Sequence, residues 1–475
     1  MRRLFLLLVF GGTIPAFFID PFYGVVHYSL INIIRPEQLL WGGGVGRIFY
    51  VDQFVLLLSW FINKDKLFPE NTRLLLQQKL LWMLAFEMVI VTFTVAFNPD
   101  RSWHWTLGFI KMTFFCFVMS KAINTDKKLE LYYAASIVWW TLLELWGIQQ
   151  KYGGNARMEG LGGVLMPDIN GFTSIVVLYL PMAYYTIFSR NKWIKFFIGI
   201  PSFIIFVIFI LYSGSRGAFL GTAVCLMFIL VRAKGFQKIK MILAFVIFGT
   251  LLGLILNKYA PEGFFDEYTA RLSTMQGKES EETGEVEYEG SAAGRTAMWK
   301  GALYIYTHHP EYWLLGVGIN CYAGMYFEYH GDELAEVLNE DEFRLVLFKG
   351  YGKKDLHNTF FDILLGGGAV TFLTWLFLVF SAWFQAHNIP KKYPKIVDGV
   401  DIHNYARAIE IGIIGCCVCM TFVTISYVDF FYWPLIMSGI IANLGKAKLK
   451  REALGQEDEE FTEQPVRKPA YAPYS

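Results

Sequence analysis

The sequence predicts an all-α, polytopic integral membrane protein of about 12 transmembrane helices with one large extracytoplasmic loop. Three observations carry this. Of 475 residues, 55% are hydrophobic and only 17% are charged, against roughly 25% charge in a soluble domain. Apolar runs long enough to cross a bilayer recur along the chain. Lysine and arginine gather in alternate short loops. The composition excludes a disordered, collagenous or disulfide-stapled chain. No P-loop, dinucleotide fingerprint or nucleic-acid-binding patch is visible.

The first apolar stretch, 4–34, follows Met1-Arg2-Arg3 and is broken at Asp20-Pro21, because proline cannot sustain a regular helix. No small-x-small cleavage site follows it, so it is read as retained. Further spans are expected near 48–62, 79–97, 104–121, 130–149, 170–188, 193–212, 216–232, 239–256, 359–386, 405–425 and 427–445. Loops with Lys64/Lys66/Arg73, Lys121/Lys127/Lys128, Arg190/Lys192/Lys195, Arg232/Lys234/Lys238 and Lys391/Lys392/Lys395 are basic and expected to be cytoplasmic. Loops 98–103, 150–169, 213–216 and 426 carry little charge and are expected outside. This alternation sets the parity: 4–34 counts as one crossing, either a single span or two half-helices.

Four regions result: an N-terminal transmembrane region 1–256, the extracytoplasmic loop 257–358 with amphipathic helices, C-terminal transmembrane helices 359–445, and a cytoplasmic tail 446–475. The polar tail is expected to be disordered. The loop holds roughly twice as many acids as bases, with an acidic insert at 279–289. Loops of this length in compact proteins usually carry function. Cys116, Cys225, Cys416, Cys417 and Cys419 lie in apolar runs and read as small packing residues.

Three polar constellations fall on the outer side. Ser213-Gly214-Ser215-Arg216-Gly217 joins two spans and puts Arg216 where a helix begins. Free N–H groups and the helix dipole favour an anion there, and a guanidinium offers phosphate a planar fork. An interfacial arginine reaching lipid headgroups fits the same position. Gly294-Arg295 with Trp299 opens a helical stretch in the loop, and Leu315-Gly316-Val317-Gly318 points to a tight turn after it. Taken alone, an arginine such as Arg295 is more often a surface charge. Asp355-Leu356-His357-Asn358 precedes the run from Thr359, so His357 stands at the mouth of a span, as a proton acceptor or as a simple cap. Gly366-Gly367-Gly368 inside that span predict close packing or a kink. Asp362 is one turn below His357, placed to orient it. Glu87, Glu144 and Asp429 also lie within spans, with functional use or polar pairing as the alternatives. His308, His309 and His330 follow no metal-ligand spacing, and no metal is expected.

In this order and spacing, Ser215-Arg216-Gly217, Gly294-Arg295 with Trp299, Leu315-Gly316-Val317-Gly318 and His357-Asn358 resemble the O-antigen ligase superfamily over roughly 150–445. That superfamily includes O-antigen ligases, O-antigen polymerases and O-oligosaccharyltransferases. Asn32, Arg35-Pro36 and Trp41-Gly42 look like its exosortase-associated O-glycosylation ligase branch. The resemblance implies a GT-C-like helical fold in the bacterial cytoplasmic (inner) membrane, with the active site on the extracytoplasmic face. It implies a metal-independent inverting glycosyltransferase, no cofactor, and a glycan donor carried on undecaprenyl diphosphate. It gives catalytic roles to Arg216, Arg295 and His357. It gives substrate-binding roles to Ser215, Gly217 and Asn358 and, through Met166-Pro167-Asp168-Ile169-Asn170, to Asp168 and Asn170. The acidic insert 279–289 departs from the family pattern.

The acceptor stays open among a lipid-core sugar, a growing polysaccharide chain and a protein hydroxyl. Two other classes compete: a transporter of a lipid-linked or anionic solute that binds it at Arg216, and a non-enzymatic assembly protein. A transporter would show related halves or matched broken helices, and the sequence shows no internal repeat.

Overall fold

The structure, a computed structural model, describes residues 15–34, 47–67, 74–152, 168–233, 235–260, 278–279, 286–287, 290–321, 329–340, 342–343, 356–397 and 399–454. Asp20 separates α1 (Pro15–Ile19) from α2 (Pro21–Ile34). Its carboxylate accepts from the Phe22 N–H at 2.9 Å and pairs with Lys128 at 2.5 Å. At the far end of α2, Asn32 donates to Asp429 at 3.3 Å. α3 (Arg47–Leu67) runs back beside α2, and its Ser59 and Asn63 donate to the carbonyls of Phe17 and Phe18. The N-terminal stretch therefore breaks at Asp20, at the basic end, as its Asp20-Pro21 step predicts. Residues 1–14 lie outside the described part.

The expected spans follow as α4 (Leu76–Thr94), α5 (Pro99–Ala122), α6 (Asp126–Tyr152), α7 (Ile169–Thr186), α8 (Ile194–Ser213), α9 (Arg216–Arg232) and α10 (Phe236–Tyr259). The loop region supplies α11 (Gly290–His308) and α12 (Gly331–Val337), and Lys278–Glu279 pairs antiparallel with Val286–Glu287 in the acidic insert. α13 (Thr359–Lys392), α14 (Ile402–Met420) and α15 (Asp429–Ala453) complete the bundle. Among the described helices, α4, α8, α10 and α13 are long and apolar enough to cross a membrane by length and composition. The chain is an all-α polytopic membrane protein.

Two boundaries differ from expectation. The run read as 405–425 ends at Met420, and Thr421–Val428 form a turn. Apolar side chains continue through that turn, so hydropathy does not reveal it. The last helix runs on to Ala453, so Lys446, Lys448 and Lys450 extend a helix where a disordered tail was expected. Residues from 455 lie outside the described part.

α7 is the central column, buried at every residue from Gly171 to Thr186. α14, α9, α8, α6 and α15 surround it. Small residues let these helices approach closely: Gly412 lies against the Leu178 carbonyl, Gly221 against Cys419, and Gly415 against Cys225. The six cysteines are free thiols, as the packing reading expects. α10 is the opposite case, with only Leu252 and Leu256 buried among its described residues.

Polar contacts sort the turns into two ends. At one end Glu130 accepts from Ser189 (2.7 Å) and Tyr405 (3.3 Å). Glu410 takes both Arg232 and His387 there, and Lys391 meets His387 at 2.9 Å. The α5–α6, α7–α8, α9–α10 and α13–α14 connections thus share the basic end, as the loop charges predict. At the other end Arg101 donates to Asn320 at 3.0 Å and the Phe97 N–H donates to the Val317 carbonyl at 2.9 Å, which docks the loop on the α4–α5 connection.

α13 is interrupted. Gly368 has φ +69° and ψ −176°, so residues 359–367 and 369–392 form two half-helices. Such a break leaves backbone donors and acceptors without intrahelical partners, at several kcal/mol for each group left so in hydrocarbon. The loop segment 313–318 supplies the partners. Val317 and Gly318 N–H groups donate to the carbonyls of Leu365 and Gly366, both at 3.0 Å. Ala369 and Val370 N–H groups donate to the carbonyls of Trp313 (2.7 Å) and Leu314 (3.3 Å). A Cβ on Gly368 would collide with the Leu314 carbonyl, and one on Gly316 with the carbonyls of Leu365 and Gly366. Gly368→Ala combines that collision with a left-handed backbone, itself unfavourable by about 1–2 kcal/mol. It is expected to lower the thermal midpoint of the detergent-purified protein by several degrees. Gly249→Ala, with open space around it in α10, should not. Equal midpoints for the two variants would show that the break does not need glycine.

Candidate active site

The first turn of α13 is gripped by the α14–α15 turn. Asn358 caps the helix, accepting from the Phe361 N–H at 3.1 Å, and its amide donates to the Thr421 carbonyl at 3.3 Å. Thr359 donates to the Val423 carbonyl at 2.7 Å and accepts from the Ile425 N–H at 3.0 Å. The same turn touches α9: Cys419 Sγ donates to the Gly217 carbonyl at 3.4 Å, and a Cβ on Gly217 would stand 3.3 Å from Phe422. It touches α7 as well, where a Cβ on Gly171 would lie 3.5 Å from Ile425. The N-terminal ends of α7, α9 and α13 therefore converge on residues 421–425. Each brings the positive end of its helix dipole, so an anion is favoured in their midst.

Each end carries candidate residues. At α7, Asn170 donates to the Asp168 carboxylate at 3.0 Å. At α9, Ser215 holds the cap position, its N–H donating to Ser213 Oγ at 3.2 Å, and partly buried Arg216 is the first helical residue. At α13, His357 precedes the capping Asn358. Arg295 joins them through α11: one turn beyond it, Trp299 Nε1 donates to the Leu356 carbonyl at 2.7 Å, and its ring meets Phe361 edge-on at 6.0 Å.

His357 adopts a left-handed backbone, φ +50°. It is held from both sides, by the buried Leu356 bonded to Trp299 and by the cap at Asn358. Strain of this kind costs about 1–3 kcal/mol and clusters at functional sites. Two of the expected substrate binders also have structural contacts: Asn358 holds the helix start and the turn, and Gly217 lets Phe422 approach. Two of the intramembrane acids have polar partners, since Glu87 accepts from Thr374 at 2.8 Å and Asp429 from Asn32, whereas both carboxylate oxygens of Glu144 are buried without a hydrogen-bond partner among the described residues. Sequence reasoning missed the 421–425 turn and its role in joining the three helix starts. Thr421, Thr424 and Ser426, clustered in an otherwise apolar run, were its only signal.

Residues 201–376 match the family model described as O-antigen ligase. Over that segment, a little more than a third of the chain, it is similar to O-antigen ligases. The match encloses Arg216, Arg295, His357, the break in α13 at Gly368 and the loop segment inserted there, and it leaves Asp168 and Asn170 outside. The similarity supports glycosyl transfer of ligase or polymerase type in polysaccharide assembly. No curated protein matches the chain.

The backbone at position 357 separates fold from chemistry. His357→Gly removes the left-handed penalty and should leave the thermal midpoint unchanged or raised. His357→Val, β-branched, should lower it by an amount corresponding to about 1–3 kcal/mol. A midpoint that falls equally in both would mean that the imidazole holds this segment in place.

Proposed function

We propose that the chain transfers a glycan from undecaprenyl diphosphate to a hydroxyl acceptor on the extracytoplasmic face of the bacterial cytoplasmic membrane. The observation that carries this reading is the meeting of three helix N-termini on one turn, with Arg216 and His357 at two of them and Arg295 tethered beside the second. This end lies opposite the basic loops, and the positive-inside rule puts it outside. The exosortase-associated branch rests on the N-terminal residues alone. Of these, Asn32 is among the described residues, bonded to Asp429.

The donor's diphosphate is already a good leaving group, so the reaction needs no nucleotide. The acceptor oxygen attacks the anomeric carbon as the bond to the diphosphate oxygen breaks. Arg216 and Arg295 stabilise the charge growing on the diphosphate. Neutral His357 takes the hydroxyl proton. One displacement inverts the carbon. None of the roles assigned here to this chain's residues calls for a metal ion. The hydrogen-bonded Asp168–Asn170 pair at the start of α7 offers polar atoms to a sugar. The neighbouring apolar spans give the prenyl chain a GT-C-like groove.

A polymerase of the same superfamily would differ in its acceptor, a growing chain. The broken α13 bears on the transporter alternative, because transporters line substrate sites with interrupted helices. Here the backbone of 313–318 fills the interruption, which favours an enzyme.

Transfer by the purified protein, from extracted undecaprenyl-diphosphate oligosaccharide to an outer-envelope acceptor fraction, tests the reading. Product from the parent and none from folded His357→Ala supports it. Donor movement across a liposome without transfer overturns it. Arg216→Lys keeps charge and loses the fork, and transfer should fall at least tenfold; full activity would remove Arg216 from diphosphate binding. If His357 is the base, the parent's rate falls on the acidic side as the imidazole is protonated. That limb should vanish from the residual activity of His357→Gln, and its persistence would take His357 out of proton transfer.

A further inference from the structure

The loop holds a second constellation at its outer flank. His309 follows α11 and His330 precedes α12, with 20 residues between them, yet their ring centroids stand 4.5 Å apart. Glu333, in the first turn of α12, bridges them: its carboxylate meets His309 Nε2 at 2.9 Å and His330 Nδ1 at 3.2 Å. The far nitrogen of each ring meets a different group. The Glu311 carboxylate stands 2.9 Å from His309 Nδ1, and the Tyr312 hydroxyl 3.1 Å from His330 Nε2. His309, His330 and Glu333 each offer a ligand atom, all within 4.8 Å of one another.

Two imidazole nitrogens and a carboxylate oxygen facing one point form a donor set for a divalent transition ion, with a fourth position left for water. The carboxylate and hydroxyl behind the rings match the way proteins fix the orientation and tautomer of metal-bound histidines. Electrostatics agree. Burial lowers the basicity of His309, but its hydrogen bonds to Glu333 and Glu311 outweigh that and raise it overall. Hydrogen bonds from His309 and His330 in turn hold the Glu333 carboxyl below its ordinary range. The point between them favours positive charge.

We propose that His309, His330 and Glu333 bind one zinc-class divalent ion, with Glu311 and Tyr312 orienting the two rings. The site is separate from the transfer residues: α11 alone puts His309 about 20 Å from Arg295, at 1.5 Å per residue. Its ion serves as a clip. The chain it closes, from 309 to 330, contains the segment 313–318 that fills the break in α13. Binding joins the end of α11, that segment and α12 into one unit, and so steadies the half-helix that begins after His357.

The test uses the full-length chain in detergent, purified without a metal-chelating tag, stripped with chelator, dialysed and titrated with Zn²⁺ alone. Elemental analysis after desalting should find about one zinc per chain, and zinc should raise the thermal midpoint. His330→Gln and Glu333→Gln should weaken zinc binding more than tenfold, and Glu311→Gln about tenfold. Glu336→Gln, exposed on the same helix, should bind as the parent does. Should His330→Gln not fold, Glu333→Gln decides alone, since its carboxylate is 44% exposed. A parent that retains no zinc and shows no midpoint shift has this point filled by imidazole protons, and the proposal fails. Parent-like binding in Glu333→Gln would equally overturn it.

Discussion

Four backbone hydrogen bonds across the break in α13 join the membrane bundle to the loop region between α10 and α13. A spanning helix normally satisfies its own backbone. This one gives up that independence at Gly368 and takes its partners from residues 313–318. Because the bonds are backbone to backbone, they demand glycine at two points and little else of the sequence. The half-helix 359–367 then belongs to two cores at once. Ile363 packs in the membrane core, while Leu365 packs with Ala297, Met298, Ile305, Val317, Leu334 and Leu356 of the loop. His357 stands at the head of this shared half-helix. Its position depends on loop and bundle together.

The polar residues are distributed to match. Basic side chains and their acid partners gather at one end of the bundle. At the other, three helix starts meet the 421–425 turn. Helix N-termini, rather than a cluster of side-chain cations, supply much of the positive potential there. That arrangement accommodates an acidic loop nearby, because fixed backbone dipoles point at the site while the carboxylates of Glu311 and Glu333 are occupied with histidines.

Most spans were legible because hydropathy and length dominate in a bilayer, and Asp20-Pro21 announced its own break. What hydropathy cannot see is backbone direction. Phe422, Val423 and Ile425 are as apolar as the helix before them, so the turn they form was read as the end of a span. The glycines at 366–368 signalled a kink, but the segment that fills it lies some fifty residues upstream, and no local pattern links the two. Arg216, Arg295 and His357 are proposed from their order along the chain. That Asn358 and Gly217 also pack against the 421–425 turn emerged only from its contacts. His309, His330 and Glu333 escaped for the same reason: their spacing follows no motif, and folding alone brings them together.

α10 shows a different consequence of membrane burial. It is apolar along most of its length, yet among its described residues the rest of the chain buries only Leu252 and Leu256 and half-buries Met241, Phe245 and Phe248. Its other neighbours in a bilayer are acyl chains, which ask for length and hydropathy but not for shape. Leucine, isoleucine, valine and phenylalanine can replace one another there without any neighbour adjusting. α7, sealed on all sides by protein, has no such latitude, since each of its side chains fits a cavity made by several helices. Two apolar helices thus answer to different constraints: α7 must fit its protein partners along its whole length, while the exposed positions of α10 need match only the thickness of the membrane.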